Sequence, residues 1–385
     1  MRTHELTLDA ADPGGDAAAL SPEQRLALWC EDPAEADPEY AAGDVERLFK
    51  AYCEDFIELR RAHGFSESTY LPLTDIRIVI RDKGEFGAVA RVEDGVDLIE
   101  INSGTLDFLL WAACKCVLSD RLPFPVPPQG IAVSRRPRLG NRTESLINSH
   151  DIPGHPLARA LALQIAFQAF LIVLFHELGH LSQGHCRYLK AALADYGKED
   201  AVQDAELRHP MEFMADLFAL RDLSIYRTSM LGEIGSDLPT KDEPVWMQAT
   251  RLCYGEDFFA LMSMYTALTM TFYLCSETSR KHPGRDIRFL ATMLASKHYF
   301  IEKADFPSDF LMKAAVQIVD IVTEAIAAAH PAGEAFRTLY GQLATDEGQD
   351  RIAAEIDRLR ERFLAIQPSL EPLSKAEKAF LKFTR

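Results

Sequence analysis

The sequence has no CxxC pair, no excess of positive charge and no apolar leader, and each absence excludes a class of protein. Its seven cysteines are odd in number, and Cys114 and Cys116 stand one residue apart. That spacing is neither a zinc knuckle nor a disulfide framework, so the cysteines are expected to be reduced thiols of a cytoplasmic protein. Acidic residues outnumber basic ones 58 to 41, a formal net charge of −17. A nucleic-acid phosphate backbone needs clustered Lys and Arg, so nucleic acid is not expected as a partner. The opening stretch MRTHELTLDAADPGG contains no apolar segment of the kind a secretory signal requires. No internal repeat or low-complexity tract is present.

What is present is the balance of a folded protein: 385 residues, 48% hydrophobic and 26% charged. Two apolar runs test the membrane alternative. Residues 258–275 carry Ser263, Thr266, Thr269, Thr271 and two tyrosines, and residues 161–175 carry Gln164 and Gln168. Both sit at the margin of the length that crosses a bilayer and read as buried helices, so a membrane-embedded protein is the minor alternative.

Four segments follow from composition and period. Residues 1–42 are acidic and rich in Ala, Pro and Gly, with at most one short helix around SPEQRLALW. Residues 43–121 begin with a helix at 43–64, where Asp44 is placed to cap and Val45, Leu48, Phe49, Tyr52, Phe56 and Leu59 form one stripe. Three strands follow at 75–81, 86–92 and 96–102, read as an antiparallel meander, and then a helix from Thr105. Residues 122–156 are read as one long loop rich in Pro, made locally basic by Arg135, Arg136, Arg138 and Arg142. From 157 to 385 the period is helical. The fold class expected is α+β and predominantly helical, a small antiparallel sheet preceding a helical body.

The chemistry concentrates in FHELGHLSQGH, residues 175–185. His176 and His180 are four apart, so on a helix both imidazoles project from one face and can reach one metal ion. Glu177 lies about 100° around the helix, where it can sit beside a zinc ion as general base. It also follows a long apolar run, where a carboxylate without a partner is costly. A catalytic zinc needs a third protein ligand. His185 is not the expected choice: a histidine ligand in HExxHxxGxxH spacing would fall on 186, which is Cys186, and Gly184 is one place late. His185 is expected at the end of the helix, serving a helix terminus or supporting a ligand.

The better third ligand is Glu212, in HPMEFMADLFALRDL. Asp216 lies one turn further on the same face, placed to accept a hydrogen bond from the free ring nitrogen of a ligand histidine, His176. In SRKHPGRDIRFL, His282 precedes Pro283 and Arg288 lies in the following helix. Either side chain can donate to a tetrahedral oxyanion. His63, His150, His155, His209, His298 and His330 are isolated and are not expected as ligands.

In this order, HExxH, ExxAD and HPxxxxR resemble the gluzincin metallopeptidases of the HtpX and CAAX-prenyl-protease type. The soluble form of the pattern is similar to the Lit-type phage-exclusion peptidases. The anchors span residues 176–288, and Gly284 stands where the family has a second proline. The resemblance implies a zincin-like zinc endopeptidase with His176, His180 and Glu212 as ligands, Glu177 as base, Asp216 behind a ligand, and His282 and Arg288 stabilising the transition state. It also implies a protein substrate and a role in bacterial phage defence. VDLIEIN, residues 96–102, is the expected sheet edge for an extended substrate. The contrasting reading is a zinc-binding regulatory or interaction protein without turnover, and Glu177 argues for catalysis.

Overall fold

A computed structural model describes residues 3–7, 76–81, 83–127, 130–135, 150–196, 205–235, 237–255, 258–274, 282–296, 308–327 and 345–374. The helix expected at 43–64 lies outside the described residues, as do the short helix around SPEQRLALW and Arg136, Arg138 and Arg142. Among the described residues the fold is α+β and mostly helical. The order is β1 (Thr3–Thr7), β2 (Ile76–Arg81), β3 (Ala88–Glu93), β4 (Val96–Asn102), α1 (Ser103–Leu118), β5 (Ile131–Arg135) and β6 (His150–Pro153). The helices α2 (Pro156–Ser182), α3 (His185–Tyr196), α4 (Ala205–Ile234), α5 (Val245–Tyr254) and α6 (Phe258–Leu274) follow. Last come α7 (Arg285–Ser296), α8 (Ser308–Ala327), α9 (Asp346–Leu370) and a 3₁₀ turn (Glu371–Leu373).

The sheet corrects the sequence reading in three places. Its order is β1-β2-β4-β3, with β2 and β4 parallel and β3 antiparallel to β4. It is therefore not a meander, because β4 inserts between β2 and β3. Burial explains the choice: β2 and β4 each bury residues on both faces, whereas β3 is half-exposed along its length. An interior position suits the first two and an edge suits the third. The connection read as a hairpin passes instead over the start of α1, where Thr105 Oγ1 accepts from the Gly87 amide at 2.8 Å and donates to its carbonyl at 2.9 Å. Consequently VDLIEIN is an inner strand, and among the described residues β3 is the edge on that side, its Ala90 and Val92 carbonyls met by Cys186 and Lys190 of α3.

The second correction is β1, within a segment read as weakly ordered: it pairs antiparallel with β2, Thr3 opposite Arg81 and Thr7 opposite Arg77. Five residues with a polar composition carry too short a pattern to read; the open side of β2 supplies the pairing. The third is the long loop at 122–156, which contains the antiparallel pair β5 and β6. Lys115 donates to Asp151 at 2.5 Å and anchors β6 to α1.

The centre of the molecule is α2, buried on nearly all sides by α1, α4, α5 and α6. It is the one described helix long and apolar enough to cross a membrane, and 94% of its most apolar window is buried inside the protein. Its glutamines are tied to neighbours: Gln164 donates to Thr250 Oγ1 at 3.1 Å, and Gln168 to the Cys253 carbonyl at 2.9 Å. In α6, Thr266, Thr269 and Thr271 donate to carbonyls four residues back, so their hydroxyls are satisfied in an apolar setting. His155 caps α2, its Nδ1 accepting from the Leu157 amide at 3.2 Å, with Pro156 opening the first turn. One continuous apolar core joins the sheet, α1, α2 and the later helices.

At its other end α2 stops sharply. Gly184 has φ +79°, in the left-handed region, and a Cβ there would lie 2.7 Å from the Leu373 carbonyl carbon. Glycine therefore serves twice, allowing the turn and admitting the 3₁₀ segment against it. Ser374 Oγ donates to the Ser182 carbonyl at 2.8 Å, which pins the segment after α9 to the end of α2.

Candidate metal centre

The site forms where α2 crosses α4. A Cβ on Gly179 would lie 3.2 Å from Ala215 Cα and from Phe218 Cβ, so the lack of a side chain lets the backbones approach closely. That approach brings Glu212 opposite the two histidines. Pro210 lies inside α4, which starts at Ala205.

His176 Nε2 and His180 Nε2 are 3.1 Å apart. Glu212 Oε2 lies 3.2 Å from the first and 3.6 Å from the second. The three side chains are largely buried, and this group can hold a metal ion. The donor set fits one: three ligand atoms converge, and the carboxylate oxygen faces imidazole nitrogens.

Asp216 lies behind the cluster, with Oδ1 2.8 Å from His176 Nδ1. Arg288 Nε and Nη2 each donate to the Asp216 carboxylate at 2.7 Å, a buried two-point pair. Arg288 was expected to face a reacting oxyanion; its fork is spent on Asp216, and its guanidinium also stacks 5.4 Å from the Phe272 ring centroid. His282 Nδ1 is 3.0 Å from Glu212 Oε2. His185 is fully buried, and its Nδ1 is 3.0 Å from His180 Nδ1.

Burial works against every charge here, and the partners outweigh it. Burial alone would raise the Glu212 carboxyl, but His180, His176 and His282 hold it well below the carboxylate range. Asp216 is likewise held low against burial, chiefly by Arg288 and then by His176. Burial would lower His176, yet Asp216 and Glu212 together push it up to about 10. Burial and the neighbouring His180 hold His185 well below an ordinary histidine.

Two predictions arise from this arrangement. Without metal, His176 carries a proton on each nitrogen at neutral pH, and coordination through Nε2 must expel one. Zinc loading at pH 7.5, followed by calorimetry in buffers of different ionisation enthalpy, is expected to release about one proton from the site, with affinity rising as pH rises toward 10. No proton release would contradict His176 as ligand. The same raised pKa makes the metal-free fold bind more protons than the unfolded chain between about pH 6.5 and 10. Its stability should therefore decline across that window.

Asp216→Asn replaces the charged acceptor behind His176 with a neutral amide and leaves Arg288 buried without its carboxylate. Metal affinity is expected to fall about 10- to 100-fold. Breaking a buried ion pair in this way costs about 3 kcal/mol of stability. Chelator competition and thermal unfolding measure the two losses; an unchanged affinity would remove Asp216 from the site.

A cleft of about 250 Å³ opens on the cluster, lined among others by His176, Glu177, Asp216, His282 and Arg288. Its apolar walls are Ile172 and Val173 of α2, Phe272 of α6, and Phe86 to Ala88 leading into β3. Glu177 is largely buried, at 8% exposure, and sits on this wall rather than in the ligand triangle. The structure thus brings together the seven residues singled out for the site in the sequence, and places His185 at the back of His180. The walls from β3 and α6 carried no sequence signal, since nothing in Phe86 or Phe272 marks them apart from core residues. No family model matches the chain, and no curated protein or solved structure matches it.

Proposed function

We propose that the chain is a zinc-dependent peptidase with a zincin-like catalytic core, acting on a protein or peptide substrate. The observation that carries the reading is the ligand triangle with Glu177 beside it on the cleft wall. Its edges are 3.1, 3.2 and 3.6 Å. Ligands about 2.0–2.1 Å from a tetrahedral zinc stand roughly 3.3 Å apart, which matches. Two imidazoles and one carboxylate favour zinc over magnesium or calcium, which prefer all-oxygen sets.

A zinc ion bound there would polarise a substrate carbonyl and acidify a water that the cleft admits. The protein's own groups supply the rest. Glu177 is the one cleft carboxylate not held by an imidazole or a guanidinium, so it takes the proton from the attacking water and can return it to the leaving amine. Asp216, clamped by Arg288, fixes the His176 ring. His282 lines the cleft from a separate turn and donates toward the developing oxyanion. The substrate backbone lies along Phe86 to Ala88 at the start of β3, which wall the cleft, and pairs there as an added strand.

His282→Ala is expected to keep metal affinity near wild type and to lower turnover by about 100- to 1,000-fold, as the loss of one oxyanion donor does. Loss of the metal instead would place His282 in the ligand set. The reading as a whole is tested by comparing new protein termini in cells expressing wild type and Glu177→Gln. Termini that appear only with wild type support a peptidase; identical termini with both would refute it.

A further inference from the structure

We infer that His185 is a positioning residue for the metal centre, its Nδ1 accepting the Nδ1–H of His180 and thereby aiming His180 Nε2 at the ion. The inference rests on the metal-binding reading above and concerns the ligand shell rather than peptide hydrolysis.

The placement is not a product of helical spacing. On an unbroken helix, residue 185 would lie about 140° around from residue 180 and face away from it. Instead α2 ends at Ser182, Gly184 turns with φ +79°, and α3 starts at His185. That break brings the two rings to 5.1 Å between centroids at 69°. The turn is held from outside by Ser374 on the Ser182 carbonyl, and from within by Gln183, whose Nε2 donates to the Met214 carbonyl at 3.3 Å.

The pairing also fixes the protons. A hydrogen bond between two Nδ1 atoms 3.0 Å apart needs one donor and one acceptor. If His180 gives its Nε2 lone pair to a metal, its remaining proton must sit on Nδ1. His185 Nδ1 is then the acceptor and its own proton lies on Nε2. That nitrogen is buried with no hydrogen-bond partner among the described residues, beside the Phe363 ring of α9 at 6.2 Å between centroids. An apolar residue would fill this space without stranding an N–H, so packing alone does not account for a histidine. The bond to His180 does.

The two ligand histidines are thus held by unlike partners. His176 is backed by a carboxylate whose charge Arg288 balances. His180 is backed by an imidazole, which offers an acceptor without adding a second buried negative charge.

The test uses the full chain and zinc. In chelator competition, His185→Phe, which fills the space but cannot accept, is expected to bind about one zinc with affinity about 10- to 100-fold weaker. His185→Gln, which restores a side-chain acceptor, should recover most of that loss. A purely structural role would not distinguish the two in this way. In the zinc-loaded wild type, ring ¹⁵N resonances should show His180 protonated at Nδ1 and His185 at Nε2, a readout that needs no variant to fold. Wild-type affinity in His185→Phe, or His180 bound through Nδ1, would overturn the inference while leaving the metal centre standing. Failure of the wild type to bind zinc would overturn the metal centre itself.

Discussion

Glu177→Gln and wild type are both expected to hold about one zinc per chain, and the variant to cleave a quenched fluorescent peptide library about 10²- to 10⁴-fold more slowly. The substitution keeps the shape of the side chain and removes its ability to accept a proton. Glu177 lies outside the ligand triangle, so metal content has no reason to change. It lines the cleft, so a proton acceptor is lost where the proposed mechanism places the substrate. Elemental analysis and initial rates on the same preparation separate the two properties. A rate near wild type with zinc present would remove the general base from the mechanism.

The second large effect concerns the ligands. His180→Ala or His176→Ala is expected to reduce zinc from about one per chain to well below one, because either leaves only two protein ligands. Each also strands buried partners, Asp216 behind His176 and His185 behind His180. His155→Ala is the matched control on the same helix. It removes the N-terminal cap of α2 at a cost of about 1 kcal/mol and leaves the metal site untouched. Equal zinc in His155→Ala and wild type, with loss in His176→Ala and His180→Ala, is the expected pattern. Retained zinc in the ligand variants would move the site elsewhere.

The centre was legible in sequence because helical period alone places its parts. His176 and His180 share a face by their spacing of four, and so do Glu212 and Asp216. The close approach at Gly179 is what turns two local patterns into one site, and a sequence shows only that a glycine is there. Strand order was not legible. The pattern shows strands β2, β3 and β4 each, but which pairs with which depends on which of them bury residues on both faces, and no local window shows that. VDLIEIN, expected at the sheet edge, lies inside the sheet for the same reason, since an inner strand and an edge strand differ in what covers them. Spacing argues against His185 as a ligand, and the structure places it behind His180. Its contact with His180 depends on the positive φ of Gly184 and on a tail nearly two hundred residues away, which no local window contains.

The most direct test of the account is X-ray absorption at the zinc edge on the loaded full chain. The expected spectrum shows two imidazoles and further nitrogen or oxygen at about 2.0–2.1 Å, four-coordinate and free of sulfur. Among the described residues Cys114, Cys116, Cys186 and Cys253 stand outside any disulfide, which makes sulfur ligation a real alternative. A sulfur shell at about 2.3 Å, or a site without imidazole, would contradict the His176, His180 and Glu212 centre.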